Sequence, residues 1–342
     1  MLPPYGLPAV ATQWQFAPVV TGVVVALAGL YSWGVVRVAR RHPARPWPGW
    51  RTGSFGAGLL VIVIATQSGI GAYDDLLFYD HMIQHLLLLM VAPPLLIWGQ
   101  PLTLLLHASR NPLHTWAKRV VRSRVAGFLT WPVFGTVLYA LAVVATHLSG
   151  FANLVEQNQT VHNVEHALFV VIGYLFFLPI LGTEPIRWRL SYPVRFVLLV
   201  LLMPIDTFTG VALGYGSGTS PGVPTGLRPA WAPSPVSDLH SGGAVMWVGG
   251  DGIMFGLMML VFLMWARDER AAVSGRSFFE RARRQNLATL LASTGPAASA
   301  ASEGGSVPMP AAGNRGGIDD DEHLAAYNAY LARLNQHHDP AG

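Results

Sequence analysis

The chain has 342 residues, of which 52% are hydrophobic and only 12% charged, against about 25% charged in soluble domains. Several apolar runs exceed the ~18–20 residues that cross a bilayer, which points to a polytopic membrane protein. Cysteine is absent, so disulfides, thiolate metal sites and CxxC exchange are excluded, and any soft-metal chemistry rests on His and Met.

Taken in chain order, the N-terminal stretch MLPPYGLPAVATQW lacks the basic start of a cleavable signal. Residues 1–17 therefore read as an extracytoplasmic segment ahead of a retained first anchor. Seven apolar helices are expected at about 18–40, 54–73, 81–106, 127–148, 161–182, 194–215 and 241–266. The fold class is all-α, a seven-helix transmembrane bundle over 18–266. The third helix contains Pro93-Pro94, which predicts a kink, because each proline lacks an N–H and crowds the carbonyl four residues back. Residues 267–342 read as a cytoplasmic tail, largely disordered beyond about Gln285, where Ala, Gly, Ser and Pro dominate. Within it, 319–336 has the pattern of a short amphipathic helix, read as a frayed tail or a docking peptide.

Basic residues orient the bundle. Arg37, Arg40, Arg41, Arg45 and Arg51 flank the first connection, and Arg110, Lys118, Arg119, Arg122 and Arg124 the third. Arg187, Arg189 and Arg195 occupy the fifth, and a run from Arg267 to Arg284 follows the last helix. The even-numbered connections hold Arg228 and no other Lys or Arg. Positive charge marks the cytoplasmic side, so the N-terminus is expected outside and the C-terminus inside. The net charge of +4 is then explained by topology and anionic lipid headgroups, with no nucleic-acid partner required.

On this topology six histidines gather at the outer ends of four helices. His81 and His85 begin the third helix, His147 ends the fourth, His162 and His166 begin the fifth, and His240 precedes the seventh. Positions four apart share a helix face, ~6 Å apart along the axis. The pairs His81/His85 and His162/His166 thus form two bidentate arms that meet on one ion if the helices are neighbours. Neutral imidazole suits Cu, Zn, Fe or Ni, and thioethers from Met82 and Met246 at similar depth shift preference toward Cu(I). Glu165, Asp80, Asp75 and Asp238 are placed to orient ligand rings from outside the ligand set. The alternative for a single His is a helix-end hydrogen bond or headgroup contact, and for Met it is core filling.

Asp206 and Asp251 lie deeper, about ten residues and hence ~15 Å below the outer end. Each reads either as a protonated carboxyl bonded to a neighbouring helix or as a proton or cation relay. Gly210, Gly214, Gly242 and Gly243 are expected to permit close helix approach. The loop from Gly216 to Ser241 is long, and reads as a lid, a docking surface or disordered chain.

The segments DHMIQHLLLLMVAPPLLIWGQPL, THLSGFANLVEQNQTVHNVEHALFVVIGYLFFLPILG, MPIDTFTGVAL and SDLHSGGAVMWVGGD resemble, in order and spacing, the CtaG family of cytochrome c oxidase assembly factors. That seven-helix family is linked to caa-type oxidases and is distinct from the cysteine-containing copper chaperone that has shared its name. The resemblance covers about residues 15–270. It implies a role in maturing the haem–copper oxidase by supplying or inserting copper on the outer face. The family's paired-histidine motifs carry onto His81, His85, His162 and His166, with Glu165 inside the second pair and His147 in the preceding helix. Three positions depart from the pattern: Asp206 stands where relatives often have His, Asp251 where they often have Glu, and His240 lies in DLHSGG where they often have DQQxGG.

The leading expectation is a non-enzymatic, copper-binding assembly factor in the bacterial plasma membrane. Its partners are expected to be oxidase subunits or other assembly factors. Two alternatives stand beside it: a b-type haem electron carrier ligated by His85 and His166, and a copper or proton transporter using Asp206 and Asp251. Neither HExxH nor a phosphate loop is present, so hydrolase or transferase chemistry finds little support.

Overall fold

The computed structural model describes residues 2–44, 46–149, 158–215 and 228–293. The chain divides into two units, 1–274 and 275–342; of the second, only the end of the last helix lies among the described residues. The 319–336 segment and residues 216–227 of the expected outer loop lie outside them. Among the described residues every regular element is helical.

The first helices are α1 (Leu7–Thr12), α2 (Pro18–Arg41), α3 (Gly49–Gln67) and α4 (Gly69–Tyr73). The third span is divided into α5 (Phe78–Leu86), a π-turn (Leu87–Val91), α6 (Ala92–Trp98) and α7 (Pro101–Ala108). Next come α8 (Leu113–Val121), α9 (Arg124–Leu129), α10 (Pro132–Leu148), α11 (Gln159–Leu181) and α12 (Tyr192–Gly214). The last span is α13 (Pro235–Ala244), a second π-turn (Val245–Gly249) and α14 (Gly250–Ser293). The final helix thus runs on past the expected boundary at 266.

Among the described residues, six helical stretches are long and apolar enough to cross a membrane: Pro18–Arg41, Gly49–Tyr73, Phe78–Ala108, Gln159–Leu181, Tyr192–Gly214 and Pro235–Arg270. The expected 127–148 helix is split, leaving α10 as a shorter apolar helix, Pro132–Leu148. Pro132 is the reason. A residue before proline is pushed out of the helical region, and Trp131 accordingly sits extended at φ −69°, ψ 124°.

The Pro93-Pro94 kink takes a specific form. Neither proline can return an N–H to the preceding turn, and the helix responds with the π-turn at Leu87–Val91 immediately before them. The segment breaks a second time at Gln100, which adopts the left-handed conformation at φ 52°. Its buried side-chain amide donates to Thr183 Oγ1. The restarted α7 is capped by Glu184, whose carboxylate accepts from the Leu102 N–H (3.1 Å) and the Thr103 N–H (2.8 Å). Arg41 Nη1 donates to the Ala108 carbonyl at the other end (2.7 Å). The basic end of α2 and the C-terminus of α7 therefore share one end of the bundle.

The third span is central. It has 67% of its apolar window buried, against 11% for Pro18–Arg41 at the periphery. Within a bilayer, apolar burial gives little drive, and association rests on close packing of small residues. Gly173 on α11 is the tightest such contact: a Cβ there would stand 2.1 Å from the Leu89 carbonyl oxygen and 2.8 Å from Pro93 Cγ. Leu89 is the residue whose carbonyl Pro93 leaves without its α-helical donor. Gly210 and Gly243 similarly bring α12 and α13 together, a Cβ on either falling within 2.8 Å of the other's carbonyl oxygen. The expected packing role of these glycines is met there. A Cβ on Gly242 would strike the Phe78 ring, whereas one on Gly214 would meet open space.

Candidate metal centre

Local signals set the heights of the histidines. Asn158 caps α11, its side-chain oxygen accepting from the Thr160 (2.9 Å) and Val161 (3.3 Å) N–H groups. This starts the helix so that His162 and His166 fall on its first two turns, on one face. On the facing span, Asp238 caps α5 from another segment of chain, accepting from the N–H groups of Phe78 (3.0 Å) and Tyr79 (3.1 Å). That fixes His81 and His85 at the same end. Gly173 then lets the two spans meet.

The result is an imidazole stack. Ring centroids of His81 and His85 lie 4.1 Å apart, His81 and His162 5.2 Å, and His162 and His166 4.2 Å. His85 and His166 are 6.4 Å apart. All are buried except the partly exposed His81. The site is therefore enclosed by the bundle end.

Two three-residue groups have ligand atoms within 4.8 Å of one another: His81, His85 and Glu165, and Asp74, His162 and His166. Two ligands at ~2.1 Å from one ion stand at most ~4.2 Å apart, so small ring rotations close either group. The polar atoms are held ready for this. His85 Nε2, His162 Nε2, His166 Nε2 and Glu165 Oε2 are buried without a hydrogen-bond partner. Such atoms are costly to bury, and four converging from two helices fit an electrophilic guest.

Behind the ligand atoms, the arrangement is hydrogen-bonded. His147 Nδ1 lies 2.8 Å from the Val143 carbonyl, which only accepts, so the proton is on Nδ1. His147 Nε2 then accepts from His85 Nδ1 at 3.2 Å. This leaves the His85 Nε2 lone pair facing Glu165 Oε2, 3.7 Å away. Asp74 Oδ2 accepts from Gln84 Nε2 at 2.8 Å and lies 3.8 Å from His162 Nε2. Burial, and then the adjacent Asp75 carboxylate, hold the Asp74 carboxyl well above the ordinary range against the lowering effect of Gln84. Asp75 itself is exposed and lies 3.7 Å from His162 Nδ1.

The model of the cytochrome c oxidase caa3 assembly factor family, Caa3_CtaG, matches residues 29–268. The chain belongs to that family. Uncharacterised proteins of Mycobacterium bovis and Mycobacterium tuberculosis are each 30% identical to it over 273 residues, 78% of this chain and 41% of theirs. One of Mycobacterium leprae is 29% identical over 271 residues, 77% of this chain and 41% of its own. This chain therefore spans about two fifths of the length of those curated relatives. No solved structure matches.

In this member of the family, other candidates from the sequence are placed differently. His147 joins neither group, both of its nitrogens being engaged with protein. His240 is exposed and stands outside both groups. Asp80 accepts from the Tyr5 hydroxyl, and Asp238 serves the α5 terminus and pairs with Arg228. Neither orients an imidazole. Glu165, expected behind the ligands, stands among them. Met82 and Met246 line a cavity with His85 and Asp206. Asp206 Oδ2 is 3.5 Å from the Tyr139 hydroxyl, and Asp251 Oδ2 accepts from Thr207 Oγ1 at 2.7 Å. Asp74 and Gln84 were missed. The doublet Asp74-Asp75 was visible, but only the short α4, capped by the Ser68 hydroxyl, folds Asp74 inward over the histidines.

Proposed function

We propose that this protein crosses the bacterial plasma membrane seven times and serves cytochrome c oxidase assembly by holding copper between its third and fifth spans. The reading is supported by one observation above others: four unpartnered buried ligand atoms, from His85, His162, His166 and Glu165, converge in two groups at one end of the bundle. Neutral imidazole with carboxylate suits a borderline divalent ion or copper, and the family's oxidase points to copper as the cargo. The span that completes seven is α10, fourth in chain order, which packs against α11 and α12 and at ~1.5 Å per residue is close to the hydrocarbon thickness. Arg41 meets the Ala108 carbonyl at one end of the bundle, and the reading puts the other basic connections at that same end, opposite the histidines. The positive-inside rule then puts the N-terminus and the copper site outside and the C-terminus in the cytoplasm.

The role is one of binding and transfer, with no bond made or broken in a substrate. His81, partly exposed at the mouth, gives the exchange position. A partner ligand from an oxidase subunit replaces it while His85 and Glu165 still hold the ion. The packing favours this over a haem site. The His81 and His162 rings stand only 4.1 and 4.2 Å from those of His85 and His166, which leaves no slot for a macrocycle between the latter two.

Metal analysis of the purified protein tests the reading. The expected result is about one or two coppers per chain, lost in the His81→Ala, His162→Ala double variant. Full stoichiometry in that variant overturns it, and a Soret band in the preparation restores the haem alternative. Selective copper flux in loaded proteoliposomes identifies a transporter instead.

A further inference from the structure

Beneath the histidine stack lies a second constellation, made of different atoms. A cavity of about 20 Å³ is lined by Met82, Met90 and Met246, with His85 above, and Asp206 and Tyr139 beside them. The volume is that of one water-sized guest, for which ~10–15 Å³ suffices. Its construction is unusual. Two π-turns occur among the described residues, Leu87–Val91 and Val245–Gly249. Both open onto this one cavity, the first contributing Met90 and the second Met246. A π-turn inserts a residue into the helix at a cost in hydrogen bonding, and such turns are found frequently at functional sites. Here the two insertions, on separate spans, each supply a thioether-bearing side chain to the same small space.

We infer that this cavity is a separate site for a monovalent soft ion, Cu(I) by chemical class, below the imidazole site. Three thioethers are poor ligands for Zn(II) or Cu(II) and good ones for Cu(I). A lone cation is expensive to bury, and the Asp206 carboxylate on the cavity wall supplies the opposite charge within the same space. His85 belongs both to the upper ligand group and to the cavity lining. One side chain is thus common to the imidazole and thioether sites. The inference deepens the copper reading above and rests on it for the identity of the ion.

The test uses the full-length protein in detergent, with Ag(I) and Cu(I) as soft probes and Zn(II) as the probe of the imidazole site. X-ray absorption of the Cu(I)-loaded wild type is expected to show sulfur scatterers. The Met82→Leu, Met90→Leu, Met246→Leu variant, which keeps volume nearly constant, is expected to lose those scatterers and about one equivalent of Ag(I), with Zn(II) binding kept. Asp206→Asn is expected to weaken Ag(I) binding alone. A wild-type spectrum without sulfur, or a triple variant that retains all its Ag(I), overturns the inference. Zn(II) uptake without Ag(I) uptake overturns only the lower site, whereas failure of wild-type protein to take up any of the three ions overturns the upper site as well. The wild-type spectrum and the single Met90→Leu variant decide the matter even if the triple variant does not fold.

Discussion

His85 and His147 fix each other's tautomers: His85 Nδ1 donates to His147 Nε2 across 3.2 Å because the Val143 carbonyl has already claimed the proton of His147 Nδ1. A carbonyl on α10 thus determines which nitrogen of a residue on α5 is free to meet a metal. Removing the middle member should loosen the ligand while leaving it present. His147→Phe is expected to weaken copper affinity ~10–100-fold, the usual effect of losing a group that orients a ligand, with stoichiometry unchanged. Competition titration against a chelator of known affinity distinguishes this from loss of a ligand, which lowers the stoichiometry.

Gly173 decides whether the two histidine pairs face each other. A methyl group added there would sit 2.1 Å from the Leu89 carbonyl oxygen, and backbone on both sides leaves no flexible atom to yield. Gly173→Ala is expected to cost ~1–3 kcal/mol by overpacking and to lower metal affinity by parting α11 from the third span. Thermal unfolding in detergent, followed with and without metal, reads both. An unaltered metal isotherm would remove Gly173 from the account of the site.

The Asp74 carboxyl lies above its ordinary range in the fold, so pH acts in opposite senses on the metal-free and metal-bound protein. Between the unfolded value of ~3.9 and the raised folded value, the unfolded chain has shed a proton that the folded chain keeps. Metal-free stability therefore falls as pH rises through that window. Metal needs the carboxylate and neutral imidazoles, so affinity rises with pH across the same interval. Asp74→Asn is expected to flatten both dependences, and melting temperatures against pH, with and without metal, check the crossing slopes.

Asp238 is fully buried, pairs with Arg228 and holds the first two N–H groups of α5. Asp238→Ala leaves a guanidinium and a helix terminus deprived of their common partner. Breaking such a pair from one side costs ~3–5 kcal/mol. The variant should therefore be markedly less stable and should also bind metal more weakly, since α5 carries His81 and His85. Reduced stability with intact affinity would confine Asp238 to a structural role.

Much of this was legible in the chain alone because it depends on local pattern. Apolar runs of bilayer length, His pairs four apart and the proline doublet need only helix geometry and hydropathy to be read, and they point to the first turns of α5 and α11 as the candidate site. What pattern could not supply was contact between segments distant in sequence. Asp80 and Asp238 looked equivalent to Glu165 as acids beside histidines, yet Tyr5 takes the first, and Arg228 and the α5 terminus take the second. Glu165 alone of the three meets an imidazole, His85. Asp74 enters the centre only because α4 turns it inward, and the methionine cavity exists only because two π-turns on separate spans meet. A helix period says which residues share a face; which face meets which is settled by where backbones can approach, and here that is set by Gly173 against Leu89 and Gly210 against Gly243.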